Sequence, residues 1–294
     1  MKGRPTKALV AVAVAYEHLA NVVALLERFG TTHFDFVLFH WDAYRLEWEE
    51  DPTLAEVEAA GALRHIWRFQ WPKLAFAREF LAPTATKAYS HVFVWDGDVK
   101  LTPGFDPVRL LSVAVATGAF LFQPALTEQS AGDHDHNKLG KDAVAADGAG
   151  NDAGERCAPS VDFVEVGFMV WDSRAWEVAW GVLDQYPFKI WCFDLLPFGC
   201  MLRRKLGALA RTPPRTAVVF TDPVHHGGNR KTLDVDWIQV KKEDDWFLQI
   251  WAEHSCPTEE EGSVHGGSGR PYCMHNAHRY LLYPWAYLSG PGPS

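Results

Sequence analysis

The chain has 294 residues, 48% hydrophobic and 22% charged, with a formal net charge of −9. That length supplies one sizeable core, or one domain with an appendage. The excess of acid argues against broad electrostatic binding to nucleic acid or anionic membranes, so an anionic ligand would need a metal ion to mediate its binding.

The N-terminal "MKGRPTKALVAVAVAYEH" has the basic start and short apolar run of a secretory signal. The helical pattern that follows at once, Ala20 to Phe29, instead favours a buried first strand over Ala8 to Ala15, opening a βα unit. "FDFVLFHWD" (34–42) reads as a second buried strand and "LRHIWRF" (63–69) as a third. "PKLAFAREFLAP" (72–83) carries Leu74, Ala77 and Leu81 at helical spacing, with Pro72 near its start. "HVFVWDGDVK" (91–100) follows as a strand, then a helix from Val108 to Val115 and a strand "GAFLFQPAL" (118–126). Residues 127–156 are rich in Gly, Ala, Asp and Asn and read as a mobile surface insertion. "DFVEVGFMVW" (162–171) resumes as a strand. "SRAWEVAWGVLDQY" (173–186) is a helix with Ser173 as its N-cap, and "TAVVFTDPVHH" (216–226) a last core strand. Alternating short strands and helices predict an α/β domain with a mostly parallel sheet. It spans 1–235, and 236–294 form a C-terminal appendage on the same domain. No run of about 18 apolar residues marks a membrane span.

Five cysteines, Cys157, Cys192, Cys200, Cys256 and Cys273, are an odd set without dense spacing and do not read as a disulfide scaffold. His254, Cys256, Cys273 and His275 are four residues of zinc-ligating type, although their spacing matches no strong signature and free cysteines in a loop fit it better.

The chemistry concentrates at Asp96-Gly97-Asp98. Ligands of α/β sheets gather beyond the carboxyl ends of strands. Two carboxylates one residue apart repel unless a cation joins them. Hard oxygen ligands suit Mg2+ or Mn2+, which keep positions open for phosphate oxygens. A solvated turn is the plain alternative. A haloacid-dehalogenase-like, Mg2+-dependent phosphatase also ends an apolar strand on such acids. Its remaining parts would be Thr221, Lys241 or Lys242, and Glu243, Asp244 or Asp245, but those last groups abut where that class separates them. GT-A-type glycosyltransferases place two such acids after about 100 residues of βα units and often complete the metal site with a late histidine. His225 and His226 follow the last strand here.

The blocks "FVLFHWD" (36–42), "PKLAFAREFLAP" (72–83), "YSHVFVWDGDV" (89–99), "FQPAL" (122–126), "FVEVGFMVWDSRAWEVAW" (163–180), "WCFD" (191–194) and "DPVHHG" (222–227) resemble, in order and spacing, the plant-type family labelled "lysine ketoglutarate reductase trans-splicing related". The resemblance covers roughly residues 7–235. Members of that family usually carry Asp-Glu-Asp where this chain has Asp-Gly-Asp. No Gly-x-Gly-x-x-Gly loop supports a reductase. The resemblance implies a GT-A-like fold and a metal-dependent, inverting glycosyltransferase. It would take a UDP- or GDP-sugar and a glycan or other hydroxyl acceptor, with Mn2+ or Mg2+ as cofactor. A non-catalytic carbohydrate-binding relative is a further alternative.

On this reading Asp98 is the main metal ligand, joined by Asp96 and by His225, which matches the family's histidine. Asp42, Lys73, Arg78 and Trp95 are donor-side candidates. A five-residue spacing does not put Lys73 and Arg78 on one helix face, so at most one of them reaches the site and the other is a surface charge. Glu165 and Trp191 are acceptor-side candidates, and Asp194 resembles the general base that deprotonates an acceptor hydroxyl. Family members often follow a membrane anchor, which points to the secretory pathway. The lack of an anchor here points to the cytoplasm.

Overall fold

Every residue of strand β1, Ala8–Val14, is buried. Its run of Ala, Val and Leu has no polar alternation, so both faces must be covered. The structure, a computed structural model, describes residues 7–130, 157–158, 160–161, 164–185, 198–207 and 215–227. The insertion beyond Ser130, the "WCFD" block with Trp191 and Asp194, and the 236–294 appendage with His254, Cys256, Cys273 and His275 lie outside these residues.

The remaining strands are β2 (Phe34–His40), β3 (Leu63–Trp67), β4 (His91–Asp96), β5 (Val99–Leu101), β6 (Ala119–Leu126), β7 (Phe168–Asp172) and β8 (Arg215–His226). They form one 8-stranded sheet in the order β3-β2-β1-β4-β7-β6-β8-β5. Pairs β3-β2, β2-β1, β1-β4 and β6-β8 are parallel; β7 and β5 run antiparallel to their neighbours. The sheet is mostly parallel, as the alternation of elements predicts, and β1 lies at its centre beside β4.

Helices cover both faces. On one, Val10, Val12 and Val14 pack against Val22, Leu25 and Leu26 of α1 (Leu19–Phe29) and Leu110 and Leu111 of α6 (Pro107–Ala116). On the other, Leu9, Ala11 and Ala13 meet Leu74 and Phe76 of α4 (Lys73–Phe80), Trp176 of α7 (Ser173–Asp184) and Leu202 of α8 (Phe198–Leu206). The period-2 alternation of β1 thus feeds two separate apolar layers. Short helices α2 (Arg45–Glu49) and α3 (Pro52–Ala59) fill the crossover from β2 to β3. Among the described residues, no helix is long and apolar enough to cross a membrane.

Three expectations shift. The helix over 72–83 divides into α4 and α5 (Pro83–Thr86), because Pro83 forces Ala82 into an extended conformation. The N-cap of α7 is Asp172, whose carboxylate accepts from the Arg174 N–H at 2.9 Å, and not Ser173. The strand expected over 162–171 begins only at Phe168, since Glu165, Val166 and Gly167 make a turn with other partners.

β8 and α6 are joined by a buried ion pair. Asp222 is 0% exposed. Its carboxylate accepts from Arg109 Nε at 3.0 and 3.1 Å, from the Asp106 N–H at 2.7 Å and from Thr221 Oγ1 at 2.7 Å. The hydrogen bond to Asp222, working against burial, holds the Arg109 pKa above its ordinary value. Removing one member of such a pair strands a charge in the core. Arg109→Met is therefore expected to destabilise the protein by roughly 3 kcal/mol, read as a lower denaturant midpoint. An unchanged midpoint would show that the pair contributes nothing.

Candidate active site at the carboxyl ends of β1, β2 and β4

β1 and β4 pair with Ala13 opposite Asp96. The turn after β4 therefore lies beside the turn after β1, where a 3-10 segment, Tyr16–His18, leads into α1. The Gly97 N–H donates to the Ala13 carbonyl at 2.9 Å. A Cβ on Gly97 would lie 2.6 Å from His18 Nδ1 and 2.9 Å from both His18 Cγ and the Ala13 carbonyl oxygen. Only glycine fits that approach. This accounts for the middle residue of Asp-Gly-Asp: the space of a side chain is already taken by His18.

The two acids separate. Asp96 closes β4, and its Oδ1 is 2.7 Å from Lys73 Nζ at the start of α4. Lys73, only 10% exposed, also donates to the Val166 carbonyl at 2.7 Å. The Asp96 N–H donates to the Gly167 carbonyl at 2.9 Å. Buried Gln123 of β6 accepts the Glu165 N–H at 2.6 Å, so the Glu165–Gly167 turn is pinned from three sides. The sequence marks Gln123 only as a polar residue inside an apolar strand.

Asp98 lies beyond the strand, where period-2 alternation no longer holds. Its Oδ2 is 3.1 Å from His226 Nε2, while its buried Oδ1 has no hydrogen-bond partner among the described residues. Burial, the largest influence, pushes the Asp98 pKa up. The hydrogen bond from His226 and the charges of His226, His18 and Lys73 outweigh it, and the pKa is lowered.

The histidine beside the acids is His226, not His225. β5 pairs with the end of β8, setting Val99 opposite His226 and Lys100 opposite His225. Adjacent strand residues point to opposite faces. His225 Nδ1 turns instead to Thr127 Oγ1 at 3.0 Å. The His226 ring packs edge-on to Phe168 at 4.9 Å, and the His226 backbone N–H donates to Ser130 Oγ at 3.0 Å. Thr127 and Ser130, read from sequence as the start of a mobile insertion, hold both histidines.

Asp42 follows β2. The Tyr16 N–H donates to its Oδ2, and its Oδ1 is buried without a partner among the described residues. Burial raises the Asp42 pKa, with the charge of Glu17 adding to it, against backbone hydrogen bonds from Tyr16 and Tyr44 and the charge of His18. The rings of Tyr16 and Tyr44 lie 5.5 Å apart and are 44% and 54% exposed. They are flat apolar faces open to a ligand, and an exposed tyrosine gives no such signal in sequence.

Trp95 does not offer one. It is 0% exposed and packs edge-on against Phe29, Phe93 and Phe105. A residue preceding the strand-end acid points into the layer under α1, so Trp95 is core. Arg78 sits further along α4, where its carbonyl accepts from the Trp180 indole N–H at 3.0 Å. Lys73 is the helix cation that reaches the acids.

A carboxylate oxygen and an imidazole nitrogen are donor types that a divalent cation accepts. Asp98 and His226 present an oxygen and a nitrogen donor to one another, and the second Asp98 oxygen is unsatisfied. Among the described residues no cluster of three or more His, Cys, Asp and Glu is assembled. Mg2+ and Mn2+ need few protein ligands when phosphate oxygens and water complete the shell.

The family model described as "Protein of unknown function (DUF707)" matches residues 2–210. Of the blocks that carry the resemblance, all but "DPVHHG" fall inside that span. No curated protein matches the chain in sequence. Among solved structures the chain is similar to GalNAc-T7 with UDP, GalNAc and Mn2+ (TM-score 0.51, 10% identity, covering 96% of this chain and 57% of that one). It is also similar to the mannosyltransferase PcManGT from Pyrobaculum calidifontis in complex with GDP-Man and Mn2+ (TM-score 0.50, 12% identity, 98% and 74%). The chain thus spans little more than half the length of the GalNAc-T7 chain. At these identities the likeness is one of fold, and the fold is GT-A-like α/β.

Two outcomes follow from the geometry. Gly97→Ala is expected to lower stability by about 1–3 kcal/mol through overpacking. Adding His18→Ala should restore only part, since the Ala13 carbonyl still blocks the Cβ; full tolerance of Gly97→Ala in thermal unfolding would contradict the packing. Second, a carboxylate with a depressed folded-state pKa stabilises the fold above its unfolded value and loses that contribution as pH falls through the folded value. The stability gap between the metal-free wild type and Asp98→Asn should therefore be full near neutrality and shrink below the ordinary aspartate value of 3.8. A gap that stays constant to pH 3 would contradict it.

Proposed function

We propose that this chain, which belongs to the family described as Protein of unknown function (DUF707), is a metal-dependent glycosyltransferase that moves a sugar from a nucleoside diphosphate to an acceptor hydroxyl. The observation that carries the reading is Asp98, a partly buried residue beyond a central strand with one carboxylate oxygen on His226 and the other buried and unpartnered among the described residues. The GT-A-like fold supports it, and GalNAc-T7 and PcManGT themselves carry UDP or GDP-Man together with Mn2+.

Asp98 and His226 would hold Mn2+ or Mg2+, whose Lewis acidity would offset charge on the departing nucleoside diphosphate. Asp96 is oriented by Lys73, and this ion pair keeps a positive charge beside the acidic turn. Lys73 is fixed in turn by the Val166 carbonyl, so its ammonium stays in place without ordering from solvent. Asp42 accepts from a ribose or base donor through its unpartnered Oδ1, and Tyr16 and Tyr44 give the base an aromatic face. Glu165 takes the acceptor side, on the turn that Gln123 and Lys73 hold against β4. Trp191 and Asp194 keep their roles as sugar platform and general base in this reading, which makes the outcome inverting.

The test is turnover and binding of UDP- and GDP-sugars with Mn2+. Asp98→Asn should lower kcat/KM by at least about 100-fold, the scale seen when one preorganised electrostatic partner is lost, while the apo protein stays folded. His226→Ala should abolish Mn2+-dependent nucleotide binding, and His225→Ala should retain it. Full turnover in Asp98→Asn, or a phosphoryl mimic bonded to Asp96, would reject the transferase.

A further inference from the structure

We propose that His18 is a ligand-binding residue of this site, its Nε2–H donating to an anionic oxygen of the diphosphate between Asp42 and Asp98. The inference rests on the transferase reading.

It begins with the close approach at Gly97. The imidazole that excludes a side chain there is 8% exposed and is held by its other nitrogen: the Ala15 N–H donates to Nδ1 at 3.1 Å. A ring nitrogen that accepts a hydrogen bond carries no proton. In the neutral ring the proton is then on Nε2, an assignment made from the hydrogen bond itself. His18 is thus fixed as a donor through Nε2, and among the described residues no protein acceptor takes that hydrogen bond.

Topology places the ring. The sheet order β2-β1-β4 sets the turn after β1 between the ends of β2 and β4. His18 lies on that turn, with Asp42 to one side and Asp98 to the other. Both carboxylates lie within electrostatic range of the ring. Both keep a buried Oδ1 without a partner. Buried carboxylate oxygens are rarely left unpaired, and each of these two asks for something the chain does not supply. A donor group satisfies Asp42 and a cation satisfies Asp98. A nucleoside diphosphate with its metal supplies both at once, and the stretch joining them is its phosphate chain. A neutral Nε2–H on this turn would donate to phosphate oxygen without adding a charge that would repel the metal.

With glycine at 97, the peptide lies flat on Ala13, and the ring occupies the freed space.

The experiment titrates the full chain with UDP, GDP, inorganic pyrophosphate and uridine in the presence of Mn2+, and with Mn2+ alone. His18→Asn keeps an oxygen able to accept the Ala15 N–H but removes the outer donor. It should weaken UDP and pyrophosphate binding roughly ten- to a hundredfold, the scale of one hydrogen bond to a charged group. Affinity for uridine and for Mn2+ alone should stay as in the wild type. His18→Gln, whose amide reaches further, should recover part of the loss, and it also serves if His18→Asn folds poorly. Equal UDP affinity in wild type and both variants overturns the role of His18 while leaving the transferase reading in place. An equal loss for uridine assigns His18 to the nucleoside and overturns the phosphate contact. A wild type that binds no nucleoside diphosphate with Mn2+ overturns both readings.

Discussion

A carboxylate withdrawn from water must be paired, and this structure meets that constraint in two different ways. Asp222 has both oxygens engaged by Arg109, Thr221 and the Asp106 N–H. Asp98 and Asp42 are each paired through one oxygen and leave the other buried and unsatisfied. The first arrangement fastens β8 to α6. The second is the state expected of groups whose remaining partner is a ligand. Asp222 lies inside β8 while Asp42 and Asp98 lie just past β2 and β4, and the completeness of the pairing separates scaffold from candidate site.

The scaffold also sets where the site lies. Because Asp222 anchors β8 on α6, the strand continues past Pro223 into pairing with β5, which delivers His226 to Asp98. On the other side, parallel pairing of β1 with β4 brings Ala13 and His18 against Gly97. The Lys73–Asp96 pair ties α4 to the same turn, and Gln123 holds the Glu165–Gly167 turn over it. Four separate stretches of chain thus converge on three residues, Asp96 to Asp98, through both backbone hydrogen bonds and side-chain pairs. Such preorganisation is what a site for a charged transition state requires.

Much of this was legible in the residues. Long apolar runs without alternation announced a buried parallel sheet, and Asp-Gly-Asp at the end of one announced a polar site at its carboxyl edge. What was misjudged followed from local ambiguity. His225 and His226 are chemically identical in sequence, and strand pairing alone decides which turns toward β4's acids. Trp95 is a donor-side candidate by sequence, yet as the neighbour of Asp96 in β4 it points to the opposite side of the strand, into the core. Thr127 and Ser130 belong to a composition typical of loops, although their hydroxyls hold the histidines. His18 and the exposed Tyr16 and Tyr44 carried no signal, since a polar turn after a strand has that composition in any protein.

The sequence by itself determined the class of fold, the order of its elements and the placement of the acidic turn, because hydrophobic period and turn chemistry are local properties. Tertiary structure decided which polar groups share that turn. Lys73, His18, Gln123 and His226 come from four different elements, and sheet order and register, set by packing across the whole core, bring them within hydrogen-bonding or van der Waals reach of Asp96 to Asp98 or of the turn that packs on them.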